Sequence, residues 1–152
     1  MIIDSCKYEN VYLLRIDGGN DSSELLREMS QYAIDNDLAT ENYLDALLER
    51  EQQYPTGIQA SLGIAIPHAY QCYTIENTIV VALLNKPVIF KSMGYGKEME
   101  VEVVFMLLLN KEDKQVKVLS ELVNFIQNES KLKELFTENG LYSIYETFGK
   151  YL

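Results

Sequence analysis

The chain holds a single histidine, His68, and the case for chemistry starts there. A neutral imidazole is a competent nucleophile near neutral pH, where its deprotonated form is well populated. Phosphoryl transfer asks for little beyond an in-line nucleophile and hydrogen-bond donors around the phosphoryl oxygens. Three side chains qualify as donors by type and place: Arg50, the hydroxyl of Thr56, and Gln115. A lone histidine can equally be a residue satisfied in place, and residue type does not choose between the two readings. The other common site chemistries lack their residues. There is no GxxxxGK[ST] phosphate loop, no GxSxG elbow, no second histidine, and no acidic cluster spaced for two metals. A hydrolytic triad would need a serine or cysteine nucleophile that nothing singles out. Cys6 and Cys72 have no CxxC spacing, and with one histidine they fall short of a structural zinc set.

At 152 residues the chain suits one domain, able to bury roughly 68–70% of its unfolded surface. A net charge of -10 argues against nucleic acid and against anionic membranes. It suits a basic protein partner, or solubility alone. The two cysteines read as free thiols in a reducing compartment. Met1 to Asn10 carries Asp4, Lys7 and Glu9 with no long apolar run, so no secretory signal is expected there. The longest uninterrupted apolar run, Val103 to Leu109, is far too short to span a bilayer. A cytoplasmic location is expected.

The elements that must position these residues follow from periodicity. The N-terminal stretch around Cys6 reads as frayed. Val11 to Ile16 reads as a strand, stopped by Asp17-Gly18-Gly19-Asn20. Asp21, with Glu24 three residues on, has the form of a capping box for a helix over about 22–35. Thr40 is expected to cap a second helix, about 41–52, with a stripe of Tyr43, Leu44, Leu47 and Leu48. Arg50 falls on the edge of that stripe. Its stem could cover the core edge with its head in water, or its charge could face the end of the next strand. Helical spacing does not decide.

The stretch Pro55–His68 then runs from a Gly-punctuated turn into a short apolar strand, Ile64 to Ile66, and delivers His68 into a loop. Thr78 to Leu84 is a buried strand. Asn85-Lys86-Pro87 reads as a turn, and Val88 to Phe90 as a second short strand, the two permitting an antiparallel pair. Glu98, Glu100 and Glu102 alternate with Met99, Val101 and Val103 before an apolar run, which is one long strand with a wet first half. A helix over about 113–127 has a stripe of Val118, Leu119, Leu122, Val123 and Ile126. Gln115 falls in the middle of that stripe, in the first turn. There it is either a buried amide that must find partners or simply wet. Helices near 129–137 and after Asn139-Gly140 close the chain. The class is α/β: one domain, residues 1–152, with a mixed β-sheet flanked by helices on both faces.

The segments Glu49-Arg50-Glu51, Pro55-Thr56-Gly57-Ile58 and Ile64-Ala65-Ile66-Pro67-His68 together resemble the EIIA domains of the phosphoenolpyruvate-dependent sugar phosphotransferase system, fructose–mannitol (type 2) superfamily. The likeness continues through Val103–Leu109 and the Gln115–Leu122 helix. The wording around Tyr54-Pro55-Thr56-Gly57-Ile58, the insert before Ala65 and the glutamine at 115 look most like the galactitol-type branch. This resemblance implies a phosphocarrier. HPr, phosphorylated on its own histidine, would pass the phosphoryl group to Nε2 of His68. His68 would pass it to a cysteine of an EIIB component, which serves an EIIC membrane component. Arg50 would stabilise the transferred charge. Gln115 stands where the mannitol-like branch has an assisting histidine, which implies a hydrogen-bonding helper rather than an acid–base one. Thr56 would contribute to binding. No metal or organic cofactor is implied. A regulatory domain that signals by phosphorylation-dependent protein binding is the alternative the resemblance leaves.

Overall fold

A computed structural model describes all residues, 1–152, as a six-stranded sheet with helices on both faces. In chain order the strands are β1 (Ile2–Tyr8), β2 (Val11–Gly18), β3 (Ile58–Gln59), β4 (Gly63–Ala65), β5 (Thr78–Lys91) and β6 (Glu98–Leu108). The helices are α1 (Ser22–Asp35), α2 (Tyr43–Gln53), α3 (Glu112–Ile126), α4 (Glu129–Glu134) and α5 (Gly140–Phe148). Strand order across the sheet is β1-β2-β5-β6-β4-β3. The β2–β5 and β4–β6 pairs are parallel and the other three antiparallel, so the sheet is mixed.

Because successive strand residues face opposite sides, the continuous apolar runs of β5 and β6 feed two cores. Val80, Ala82, Val104 and Met106 pack with Leu25, Leu26 and Met29 of α1 and with Tyr43 and Leu47 of α2. Ile79, Val81, Val103 and Phe105 pack on the other face with Val118 and Leu122 of α3, Leu132 of α4, and Ile144 and Phe148 of α5. Each fully buried valine, leucine, isoleucine, phenylalanine or methionine among them contributes about 1.5–3 kcal/mol. The expected layering therefore holds.

At α1 the Asp21 N-cap forms, its carboxylate accepting the Glu24 N–H at 2.8 Å, but the Glu24 side chain returns no bond to the Asp21 N–H and the capping box is half made. Four other expectations need correction. The segment around Cys6 is not frayed. It forms the edge strand β1, antiparallel to β2, with almost every side chain exposed. Thr40 does not cap α2. Its N–H donates to the Tyr73 carbonyl, and Ala39 bridges Thr74, which holds the chain extended and delays the helix to Tyr43. Asn85-Lys86-Pro87 is not a turn between two strands. It is an exposed irregularity inside the single strand β5, where the register with β6 shifts between Leu83 and Val88. A proline fits there because a bulge frees it from donating to the ladder. In α3, Val123 faces solvent and Phe125 takes the buried position.

The candidate active site at the carboxyl ends of β4 and β6

The site is built on the hairpin β3–β4. Gly63 lies so close to β6 that a Cβ there would run into the Glu100 carbonyl oxygen, so only glycine lets β4 dock at this depth. From there the chain follows β6 in one register: Ile64 pairs Val103, Ala65 pairs Val104, and His68 pairs Leu107, whose N–H donates to the Pro67 carbonyl at 3.1 Å. His68 thus emerges half-buried at the carboxyl end of two parallel strands, the place where open α/β sheets bind ligands.

The ring's tautomer follows from its one hydrogen bond. His68 Nδ1 lies 2.8 Å from the Ile66 carbonyl oxygen. A carbonyl only accepts, so Nδ1 carries the proton and Nε2 keeps the free lone pair. Burial pushes the imidazole below its ordinary pKa. The Arg50 charge pushes the same way, against the opposing effect of the Ile66 bond. The ring is therefore neutral at pH 7, with Nε2 unprotonated.

Arg50 sits in the last turn of α2, where its charge complements the helix dipole. Its Cζ lies over the Tyr54 ring at 5.1 Å and over the Tyr70 ring at 5.3 Å, and it makes no ion pair. The guanidinium thus lies over the ring of Tyr70, two residues beyond His68, and its positive charge lowers the imidazole's proton affinity.

Thr56 is 3% exposed and fully engaged. Its hydroxyl donates to Glu51 Oε1 at 2.8 Å and accepts the Ile66 N–H at 3.0 Å, while its own N–H donates to Glu51 Oε2 at 2.8 Å. That hydroxyl has no proton left for a phosphoryl oxygen. Thr56 is instead a strut joining the end of α2 to the backbone that holds Nδ1 of His68. No spacing or residue-type signal marks its partner Glu51 as a site residue; the capture of both carboxylate oxygens by Thr56 identifies it. Burial raises its carboxyl to about 6, with the two Thr56 bonds acting the other way.

Gln115 is half-buried in the first turn of α3. Its amide donates to the Ala69 carbonyl at 3.3 Å, and its Oε1 accepts from Gln71 at 3.4 Å. The structure thus brings Arg50 and Gln115 to the residues flanking His68. It adds Tyr54, Tyr70 and Gln71, which periodicity could not mark because they lie in connecting segments. Cys72 is exposed and unpaired in the same short 3₁₀ turn as Gln71. No group of three or more His, Cys, Asp or Glu residues is placed to hold a metal ion, and no helix is long and apolar enough to cross a membrane.

Comparison with known proteins matches this architecture. The chain is 26% identical over 130 residues to the galactitol-specific EIIA component of Escherichia coli K12, covering 78% of this chain and 87% of that protein. It is 35% identical over 99 residues to multiphosphoryl transfer protein 1 of the same organism, covering 63% of this chain and 11% of that much longer protein. Among solved structures, the E. coli IIA mannitol domain in complex with phosphorylated IIB mannitol superposes with a TM-score of 0.67 at 20% identity, over 89% of this chain and 94% of that one. The nitrogen regulatory protein IIA-Ntr of Neisseria meningitidis gives 0.69 at 23%, over 91% and 92%. The model of the phosphoenolpyruvate-dependent sugar phosphotransferase system EIIA 2 family matches residues 7–151, and the chain belongs to that family.

Proposed function

We propose that residues 1–152 act as one phosphocarrier domain in which Nε2 of His68 accepts a phosphoryl group from phospho-HPr and passes it to the cysteine of a cognate EIIB. The observation that carries this reading is the bond from Nδ1–H to the Ile66 carbonyl, which leaves Nε2 as the bare nitrogen of a neutral ring. In the first step the Nε2 lone pair forms a bond to phosphorus while the donor's P–N bond breaks, and the donor nitrogen keeps that electron pair. In the second, a cysteine thiolate of EIIB forms the P–S bond and the P–Nε2 bond breaks back to the ring. Both steps gather negative charge on the three equatorial oxygens. Arg50, free of any carboxylate, supplies charge-assisted donors there. Gln115 adds amide hydrogen bonding at the loop after His68. Thr56 serves by position, through Glu51 and Ile66, rather than by contact with the phosphoryl group. The carrier works in the cytoplasm and serves uptake of a sugar or polyol through EIIB and its EIIC membrane component. Galactitol is the substrate suggested by the relative's name.

The test is incubation with HPr, the enzyme that phosphorylates HPr, and phosphoenolpyruvate. The expected product is an acid-labile, alkali-stable adduct that is absent from His68→Ala. Acid-stable label, or label that survives the substitution, would sink the assignment. Onward transfer to a panel of EIIB proteins identifies the partner and separates transport from the regulatory alternative, in which the phosphorylated domain passes its group to none of them.

A further inference from the structure

We propose that Tyr54 and Tyr70 are positioning residues for the transfer, their ring faces holding the Arg50 guanidinium beside His68 without engaging its N–H donors. The inference rests on the phosphocarrier reading and adds to it two side chains that touch no reacting atom.

Three observations carry it. First, Arg50 has no carboxylate to hold it: the ion pairs of the structure are Met1–Glu28, Arg15–Asp4 and Lys133–Glu129. The adjacent Glu51 has both oxygens taken by Thr56, and Glu49 lies on the exposed side of α2. Second, two aromatic faces stand in for the missing anion, at 5.1 Å and 5.3 Å from Cζ, within the range where a ring quadrupole attracts a cation. The substitution is chemically pointed. A carboxylate would occupy the guanidinium's N–H groups and compete with the phosphoryl oxygens for them. A ring face attracts the charge and leaves those donors open. Third, the two tyrosines come from both sides of the site. Tyr54 ends α2, its N–H donating to the Arg50 carbonyl at 2.8 Å, and Tyr70 follows His68 by two residues. Each is 61% exposed, so neither is explained by the core. Between them they tie the end of the arginine's helix to the histidine's loop.

The test uses Tyr54→Leu, Tyr70→Leu, the two Tyr→Phe variants, and each leucine change again in an Arg50→Ala background. Two quantities are read: the rate of labelling by phospho-HPr, and the titration midpoint of His68 by NMR, which is unambiguous with one histidine in the chain. Each leucine variant should slow labelling roughly two- to fivefold and raise the His68 midpoint in the direction that Arg50→Ala raises it. The phenylalanine variants, which keep the ring face, should restore both. In the Arg50→Ala background the leucine changes should add nothing further. Leucine variants matching the parent in rate and midpoint would overturn the proposal. So would slowing of equal size without Arg50, which would make the rings a direct contact for the protein partner. Absence of any label on the parent chain removes the phosphocarrier reading itself and is distinct from both.

Discussion

Thr56→Val keeps the shape of a buried side chain and removes one oxygen, and that oxygen holds two elements together. Its loss leaves the Ile66 N–H without its acceptor and takes one of two bonds from the Glu51 carboxylate. A buried unsatisfied amide costs about 1–3 kcal/mol, and a hydrogen bond to a charged group is worth about 1.5–3 kcal/mol. A destabilisation of about 3 kcal/mol at pH 7.5 is therefore expected. For a domain of this size that is a drop of roughly 6–12 °C in melting temperature. The Glu51 carboxyl, held at about 6, is mostly protonated at pH 5 and its bond to Thr56 is then a neutral one. The gap between parent and variant should narrow there by ~1 kcal/mol. Urea melts at pH 7.5 and pH 5 measure both numbers. A gap below ~1 kcal/mol at pH 7.5, or one that does not change with pH, would refute the strut.

Arg50→Ala should slow phosphoryl transfer well over tenfold, since a lost transition-state donor is worth ~2–4 kcal/mol; an unchanged rate makes the residue structural. Gln115→Ala should slow transfer while melting within about 1 kcal/mol of the parent, because its two bonds are long at 3.3 and 3.4 Å. A large melting shift with a normal rate would confine Gln115 to holding the loop. Glu51→Gln tests the buried carboxyl through pH. A carboxyl raised from 4.5 to about 6 by folding binds its proton more tightly in the folded state, so its ~2 kcal/mol penalty is absent below pH 4.5 and complete above pH 6. His68, lowered from 6.5, works in the opposite sense: stability falls as pH drops below 6.5. Removing Glu51 should therefore abolish the loss of stability between pH 4.5 and 6 and expose the histidine slope alone. A variant with the parent's pH profile would contradict that account.

What the sequence disclosed and what it hid divide along a physical line. Strands and helices with one buried face announced themselves: the period-two alternation of Glu98–Val103, the Asp21 cap, and the stripes of α1 and α2 all reappear in the fold. Elements whose conformation comes from a distant partner did not. β1 buries no apolar stripe, with only Ile2 against the core and Tyr8 against Tyr145, and its extended form follows from the ladder that β2 offers. Asn85-Lys86-Pro87 has the composition of a turn, yet the flanking runs stay paired with β6 on both sides of the irregularity. The same holds within the site. His68 and Arg50 were visible as residue types beside element ends, and Gln115 as a polar residue on an apolar stripe. The engagement of Thr56, the part of Glu51 and the aromatic faces around Arg50 depend on hydrogen bonds and contacts between segments that no spacing rule encodes.

The central claim is that Nε2 of His68 is the nucleophile, and it is most directly tested on the phosphorylated chain. With ¹⁵N-labelled protein and one histidine, the imidazole spectrum reports a single ring. Phosphorus should couple to Nε2 while Nδ1 remains protonated against the Ile66 carbonyl. Coupling to Nδ1, or phosphate on any other residue, would contradict it.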